Sequence, residues 1–226
     1  SPMLWGSWLL LVVYPVNVLL VLGTWATSMP RFRAAVSSSL PGVLQRFVAL
    51  LEDFAAARRT ALAWVALGTG IGLGIYTGIL LSAYTARPFW NSGVLGPLFL
   101  VSGISTGLAL VMVFTRHEGE HRDFLRIDVG VVIFELLLLF VYGYNLFTST
   151  QSAQQAIGLV TGGPLTTMFW VPFAILGLFV PLVLELLELR GTHAPKWLAP
   201  GLLLMGGFFF RVVMVEAGQL SAWTPY

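Results

Sequence analysis

Cysteine is absent from the 226 residues, which excludes disulfides, thiolate metal sites and iron–sulfur ligation within this chain. Charge is scarce as well: Asp, Glu, Lys and Arg together make up 10% of the sequence, and the formal net charge is only +2. There are three histidines, His117, His121 and His193, and all fall in polar stretches between apolar runs. A membrane cytochrome b needs its axial histidines inside the helices, so haem is not expected. His117 and His121 have metal-ligand spacing if helical, but charged loops commonly carry such pairs, and no metal is expected in this chain. Nucleotide-binding loops, nucleophile elbows and metal-protease signatures are missing too. No strand precedes the glycine-rich stretch at 68–78, so it is not a dinucleotide fingerprint. A nucleic-acid partner is not expected.

What remains is apolar. Hydrophobic residues make up 57% of the chain, and the mean hydropathy is +0.86. Several runs reach the roughly 20 residues that a bilayer-spanning helix needs. They run continuously rather than alternating, which argues against a barrel. The fold class is therefore an all-α integral membrane protein, read as one membrane domain over 1–226. Six spans are expected, at about 4–28, 61–84, 95–115, 127–148, 166–188 and 197–217. Between the first two, Leu44, Phe47, Val48, Leu51, Phe54 and Ala55 form a helical stripe. An amphipathic helix is expected there over about 41–58, with Ser39 as its N-cap and Pro41 in its first turn. It would lie on the membrane surface or pack as a cap on the loops.

The basic residues divide unevenly. Of the twelve Lys and Arg, five fall in the first loop (Arg31, Arg33, Arg46, Arg58, Arg59). Arg116, Arg122 and Arg126 fall in the third, and Arg190 and Lys196 in the fifth. These loops alternate with basic-poor ones, so the positive-inside rule makes them cytoplasmic. Ser1, the turn at 87–91, the uncharged segment TSTQSAQQAIGLVTGGP and the C-terminus then lie outside. The opening Ser1-Pro2, without Met and already near a span, reads as the middle of a longer protein.

The sequence is organised around Gly68–Phe99. Gly70, Gly74 and Gly78 recur every four residues, a face with no side chains to hold a neighbour away. Gly68, Gly72 and Tyr76 share a second face, leaving a groove beside the phenol. The helix breaks at Arg87-Pro88 into a short aromatic turn, Phe89-Trp90-Asn91. A phenol beside a groove, below an Arg/Trp/Asn mouth, suits a flat apolar ligand with polar carbonyls. Tyrosines near helix ends are also commonly interfacial anchors, and glycine faces commonly just pack helices.

Ionisable residues inside the spans are rarer. Asp128, Glu135 and Tyr142 are seven apart and share one face of the fourth span, with Asn145 close by. Glu135, near the membrane middle, reads either as a protonatable relay residue or as a structural partner of a neighbouring helix. Arg211 should face the bundle interior, where Glu216 or Glu135 would pair with it. Glu185 and Glu188 close the fifth span and read as interfacial.

Several ordered blocks together resemble the NrfD/PsrC family, the membrane subunits of polysulfide-reductase-type complexes. They are SPMLWGSW at 1–8, Tyr76 with RPFWN at 87–91, PLFLVSGISTGLAL at 97–110, FELLLL in the fourth span, GGPLTTMFWVPFAILGLFVPLVLELL and GGFFFRVVMVEAGQ. The family's two helices preceding the Ser-Pro-x-x-Trp-Gly segment are missing here. The resemblance implies a quinone-interacting anchor subunit in a bacterial cytoplasmic (inner) membrane. It would exchange electrons between menaquinone or ubiquinone, as diffusible substrate, and an extrinsic ferredoxin-like iron–sulfur subunit. A molybdopterin catalytic subunit would stand beyond that on the outer face. It places Tyr76, Arg87, Trp90, Asn91 and Gly72 at the quinone site, and leaves Glu135, Tyr142, Asp128 and Arg211 as a possible proton relay. A structural anchor with a degenerate site and a small secondary transporter using Glu135 and Arg211 are the competing readings.

Overall fold

The computed structural model describes residues 2–115, 117–192 and 195–222. Arg116 and His193, used above in the charge and metal readings, lie outside the described residues, as does Ser1. Among the described residues the protein is helical, without strands. It divides into two compact units, Ser1–Tyr76 and Thr77–Tyr226.

In the first unit, α1 (Pro2–Ser28) is followed by α2 (Pro30–Ser39) and α3 (Gly42–Ala57), and α4 (Arg59–Ser82) begins. The expected amphipathic helix is α3, but Ser39 does not cap it. Ser39 ends α2 and returns its hydroxyl to the Ala35 carbonyl at 2.7 Å. Pro41 holds the N-cap position and makes no side-chain cap. The first loop thus holds one more helix than its stripe revealed, opened by a proline at a position where a missing N–H costs nothing. One side of α3 packs on α1, where Ala55 is 1% exposed and its backbone lies against Gly23. The side carrying Val43, Phe47, Leu50 and Phe54 stays exposed.

Glu52 fastens α3 to the end of α1. It accepts from the Trp25 indole at 2.5 Å and forms a two-pronged pair with Arg33, at 3.0 and 2.6 Å. The Arg33 hydrogen bonds hold the Glu52 carboxyl below its ordinary value against the opposing effect of burial, and Trp25 adds to them. A carboxyl lowered in the folded state stabilises above its unfolded value, and that contribution is lost as pH falls through the folded one. Hydrogen exchange at residues 42–57, corrected for its intrinsic pH dependence, should therefore rise as pH drops below about 4. Glu52→Gln should show the raised exchange already at neutral pH. Exchange in the wild type that ignores this range would remove Glu52 as the fastening.

The second unit contains the end of α4, α5 (Leu95–Phe114), α6 (Glu118–Thr148), α7 (Gln151–Thr161), α8 (Thr166–Leu189) and α9 (Leu198–Leu220). Its core is formed by Leu95, Leu98 and Phe99 of α5, Val132 and Leu146 of α6, Phe173 of α8, and Phe210 and Met214 of α9. Phe210 packs between Phe99 and Phe173 with tilted rings, centroids 5.0 and 5.2 Å away. The backbones of α8 and α9 touch at Gly177 and Gly206, where a Cβ on either would overlap the other's Cα. The middle of α8, Phe169–Phe179, winds as a wider π-helix. It contains Pro172, and Pro181 follows in the next turn; neither can donate to the ladder.

Among the described residues five helices, α1, α4, α5, α8 and α9, are long and apolar enough to cross a membrane. The stretch expected as the fourth span lies in α6. That helix starts at Glu118, so residues read above as loop, 118–126, are helical. The uncharged fourth loop likewise holds α7. Its N-cap Thr150 accepts from the Ala153 amide at 3.3 Å, and Ala153, Ala156 and Val160 are buried. The chain is a multi-pass membrane protein.

Candidate functional site

In the first unit, Tyr76 is half-buried on α4. Its phenol lies against Gly6 of α1, where a Cβ would overlap the ring and the hydroxyl. Only glycine at position 6 leaves that space. Gly72, one turn before Tyr76, faces the Leu9 side chain at van der Waals range. The groove expected along this face is therefore partly filled by α1. Gly68 and Gly70 face open space.

The other expected ligand residues belong to the second unit, and two of them are firmly engaged. The Arg87 guanidinium donates through Nη1 to the carbonyls of Gln219 and Ser221, 2.7 Å each. These oxygens end α9, where helix carbonyls lack partners and a cation is favoured. Trp90 is buried, lies against Gly218 and donates its indole N–H to the Met214 carbonyl at 2.8 Å. Tyr84 meets its ring edge-on at 6.0 Å. Asn91 is exposed. Gly78, close by in sequence, sits on the backbone of Leu95 and Gly96 with no room for a Cβ.

On α6 the heptad stripe is longer than Asp128, Glu135 and Tyr142. His121 begins it, and all four are buried, 5%, 0%, 2% and 3% exposed respectively. Residues seven apart are about 10 Å apart along one face, so the stripe runs about 31 Å, close to the thickness of a bilayer's apolar core. Tyr142 donates its hydroxyl to the Phe89 carbonyl at 2.5 Å and meets the Phe89 ring edge-on. It holds the aromatic turn onto α6. Glu135 faces Ser102 of α5. Arg211 donates to the Gly207 carbonyl of its own helix at 2.7 Å. It acts on Glu135 only through space. The ion pair expected for Arg211 is not formed with either candidate: Glu135 is not within pairing distance, and Glu216 is exposed.

Glu185 is the largest departure from the expected pattern. Read as interfacial, it is 0% exposed and faces Asp128. Its position inside the apolar run VPLVLELL was the available signal. Glu188, one turn on, pairs with His121 at 3.2 Å. His117 stands before α6 as its N-cap residue without a cap bond. The described residues contain no group of three or more His, Cys, Asp or Glu placed to hold a metal ion.

An apolar crevice of about 480 Å³ opens beside Tyr142, lined by Phe89, Ile157, Phe169 and Trp170 among others. Its polar edges are already committed, Tyr142 to Phe89 and the Trp170 indole to the Val160 carbonyl at 3.1 Å. Tyr144 also lines it, and most of what it offers is shape and apolar contact.

Comparison with known proteins adds a family. The family model described as polysulphide reductase, NrfD matches residues 1–222. Protein NrfD of Escherichia coli is 33% identical over 189 residues, covering 80% of this chain and 58% of that protein. The C subunit of polysulfide reductase from Wolinella succinogenes is 31% identical over 232 aligned positions, 94% of this chain and 73% of the relative. The Haemophilus influenzae NrfD homolog is 30% identical over 159 residues, 66% and 50%. The protein thus spans between half and three quarters of the length of these curated relatives. No solved structure matches it.

Proposed function

The chain belongs to the polysulphide reductase NrfD family, and from that membership we propose that it is the quinone-interacting membrane subunit of a multi-subunit oxidoreductase. Electrons pass between menaquinone or ubiquinone, a diffusible substrate, and an extrinsic ferredoxin-like iron–sulfur subunit, with a molybdopterin subunit beyond it. The observation that carries the reading is Tyr76, a half-buried phenol whose ring and hydroxyl are given room by Gly6. Its hydroxyl hydrogen-bonds a quinone carbonyl and stabilises the charge that develops there on reduction. The family resemblance adds Arg87, Trp90 and Asn91 to the quinone site. Arg87 contributes positive potential while anchoring α9. Asp128, Glu135, Tyr142 and Arg211 form the proton relay of this reading. Quinone should co-purify with the intact complex at close to one per complex. A complex that turns over without retaining or reacting with quinone would overturn the assignment.

The orientation is that of the positive-inside rule in a bacterial inner membrane, with the loops carrying Arg58, Arg122 and Lys196 cytoplasmic. The cysteine-free sequence permits single-cysteine labelling directly. Asn91→Cys and Gln151→Cys, both at exposed positions, should react with an impermeant maleimide in intact cells. Arg58→Cys and Arg122→Cys should react only after permeabilisation, and labelling of Arg122→Cys from outside would invert the topology.

A further inference from the structure

We infer that Asp128, Glu185 and Ser105 form a proton-holding site inside the bundle, loaded from a polar cleft through His121 and Glu188. The relay proposed above needs a proton source; the holding of a proton by this site does not depend on quinone.

The site is recognised by what its atoms lack. Asp128 of α6 faces Glu185 of α8 and Ser105 of α5. Asp128 and Glu185 are 0% exposed and Ser105 is 2% exposed. Neither oxygen of Asp128, neither oxygen of Glu185, nor the Ser105 hydroxyl meets hydrogen-bond geometry with any partner. Buried polar atoms are otherwise almost always paired. Among the described residues, no Arg, Lys or His lies within 4.0 Å of either carboxyl. The charged and titratable neighbours are acids: Glu188 acts on Glu185 from its own helix, and Asp128 acts on Glu135 two turns along α6. Arg211 of α9 acts on Glu135.

Two carboxylates brought together out of water repel, and each loses its hydration. One proton between them removes the repulsion and supplies the missing donor, since a protonated carboxyl donates one O–H. The Ser105 hydroxyl can donate a second hydrogen bond to the same pair. No electron moves in this step. A proton arriving on one carboxyl allows the shared one to leave, and the charge of the pair is restored.

The route in is visible as well. A cleft of about 360 Å³ at the start of α6 is lined by Glu118, His121, Arg122, Leu125, Glu188 and Lys196, among others. Lys196 and Glu118 pair at its rim, 2.8 Å apart. His121 contributes a buried ring whose Nδ1 has no partner, while its Nε2 meets Glu188 at 3.2 Å. Glu188 and Glu185 are one turn apart on one side of α8, so the step inward is a single helical turn. Protons would therefore enter from the end of the bundle that carries the basic loops.

Infrared difference spectroscopy on the full-length protein in its intact complex, reconstituted in lipid vesicles, tests this without quinone. At neutral pH the wild type should show a protonated-carboxyl C=O band, equivalent to one carboxyl, that the Asp128→Asn/Glu185→Gln double variant lacks. Each single variant should shift that band, which keeps the test decisive if the double variant does not assemble. On transfer to D₂O the band should exchange at least tenfold more slowly in Glu188→Gln than in wild type. A band unaltered in all three acid-pair variants would overturn the site. An exchange rate unaltered in Glu188→Gln would overturn the route. Failure of either leaves quinone binding untouched, and loss of quinone binding leaves both readings intact.

Discussion

Tyr76→Phe, in the intact complex, is expected to lower quinone-linked turnover roughly tenfold or more, with the complex assembled and the partner's iron–sulfur clusters unchanged. Phe keeps the ring that lies against Gly6, so the packing of α4 on α1 is preserved. Only the hydroxyl is lost. A neutral hydrogen bond typically contributes about 0.5–1.5 kcal/mol. One that tightens as charge develops on the acceptor reaches about 2.7–4 kcal/mol in the transition state. About 1.4 kcal/mol is a factor of ten in rate, so the second case clears the threshold and the first barely reaches it. The split between constants separates the roles further: a transition-state contact lowers kcat, whereas uniform binding raises KM alone. An interfacial anchor predicts neither, because Phe serves that purpose nearly as well. Wild-type quinone kinetics in this variant would remove Tyr76 from the site and favour a structural anchor with a degenerate one.

Why the helices are legible in the sequence while their partners are not follows from distance along the polypeptide. Continuous apolar runs announce membrane helices locally, so the fold class needs no tertiary information. The α6 stripe is legible for the same reason, since seven-residue spacing places side chains on one face whatever lies opposite. His121 escapes it because its segment, RHEGEHRDFLR, is charged and reads as loop, although α6 already includes His121. Glu185 reads wrongly because burial at a helix end depends on which neighbour covers it, and that neighbour, Asp128, is remote in sequence. The helix expected to break at Arg87-Pro88 already ends at Ser82, and the turn follows. The partners of that turn, the carbonyls of Gln219 and Ser221, lie more than 130 residues away. No local pattern shows that an arginine is occupied. The acid partner expected for Arg211 fails for a related reason: its own helix offers the Gly207 carbonyl one turn back, which satisfies a donor without any acid moving.

Gly206→Val should abolish the assembled protein, and Gly206→Ala should already lower its yield. Helix association in lipid gains little from the hydrophobic effect, because lipid tails are as apolar as the side chains they replace. Close backbone approach between small residues supplies much of it instead. At the crossing of α8 and α9, an added Cβ on Gly206 would fall on the Cα of Gly177, which is backbone and has no rotamer to yield. The helices would have to part. Overpacking of this kind typically costs about 1–3 kcal/mol and occasionally more. Here the loss spreads to neighbours, because Phe173 and Phe210, on the same two helices, are packed ring against ring at 5.2 Å and both fully buried. Glu185 on α8 and Arg211 on α9 would be carried apart with them, so any surviving complex should also lose the Asp128–Glu185 apposition. Gly201→Ala is the control, since an added Cβ there meets nothing within 4 Å. It should leave yield and thermal stability unchanged or slightly raised, as alanine favours helix over glycine. Size-exclusion profiles of the solubilised protein across a temperature ramp distinguish the three. If Gly206→Val elutes and melts as the wild type does, the two helices do not cross in backbone contact, and the packing that positions Glu185 must come from elsewhere.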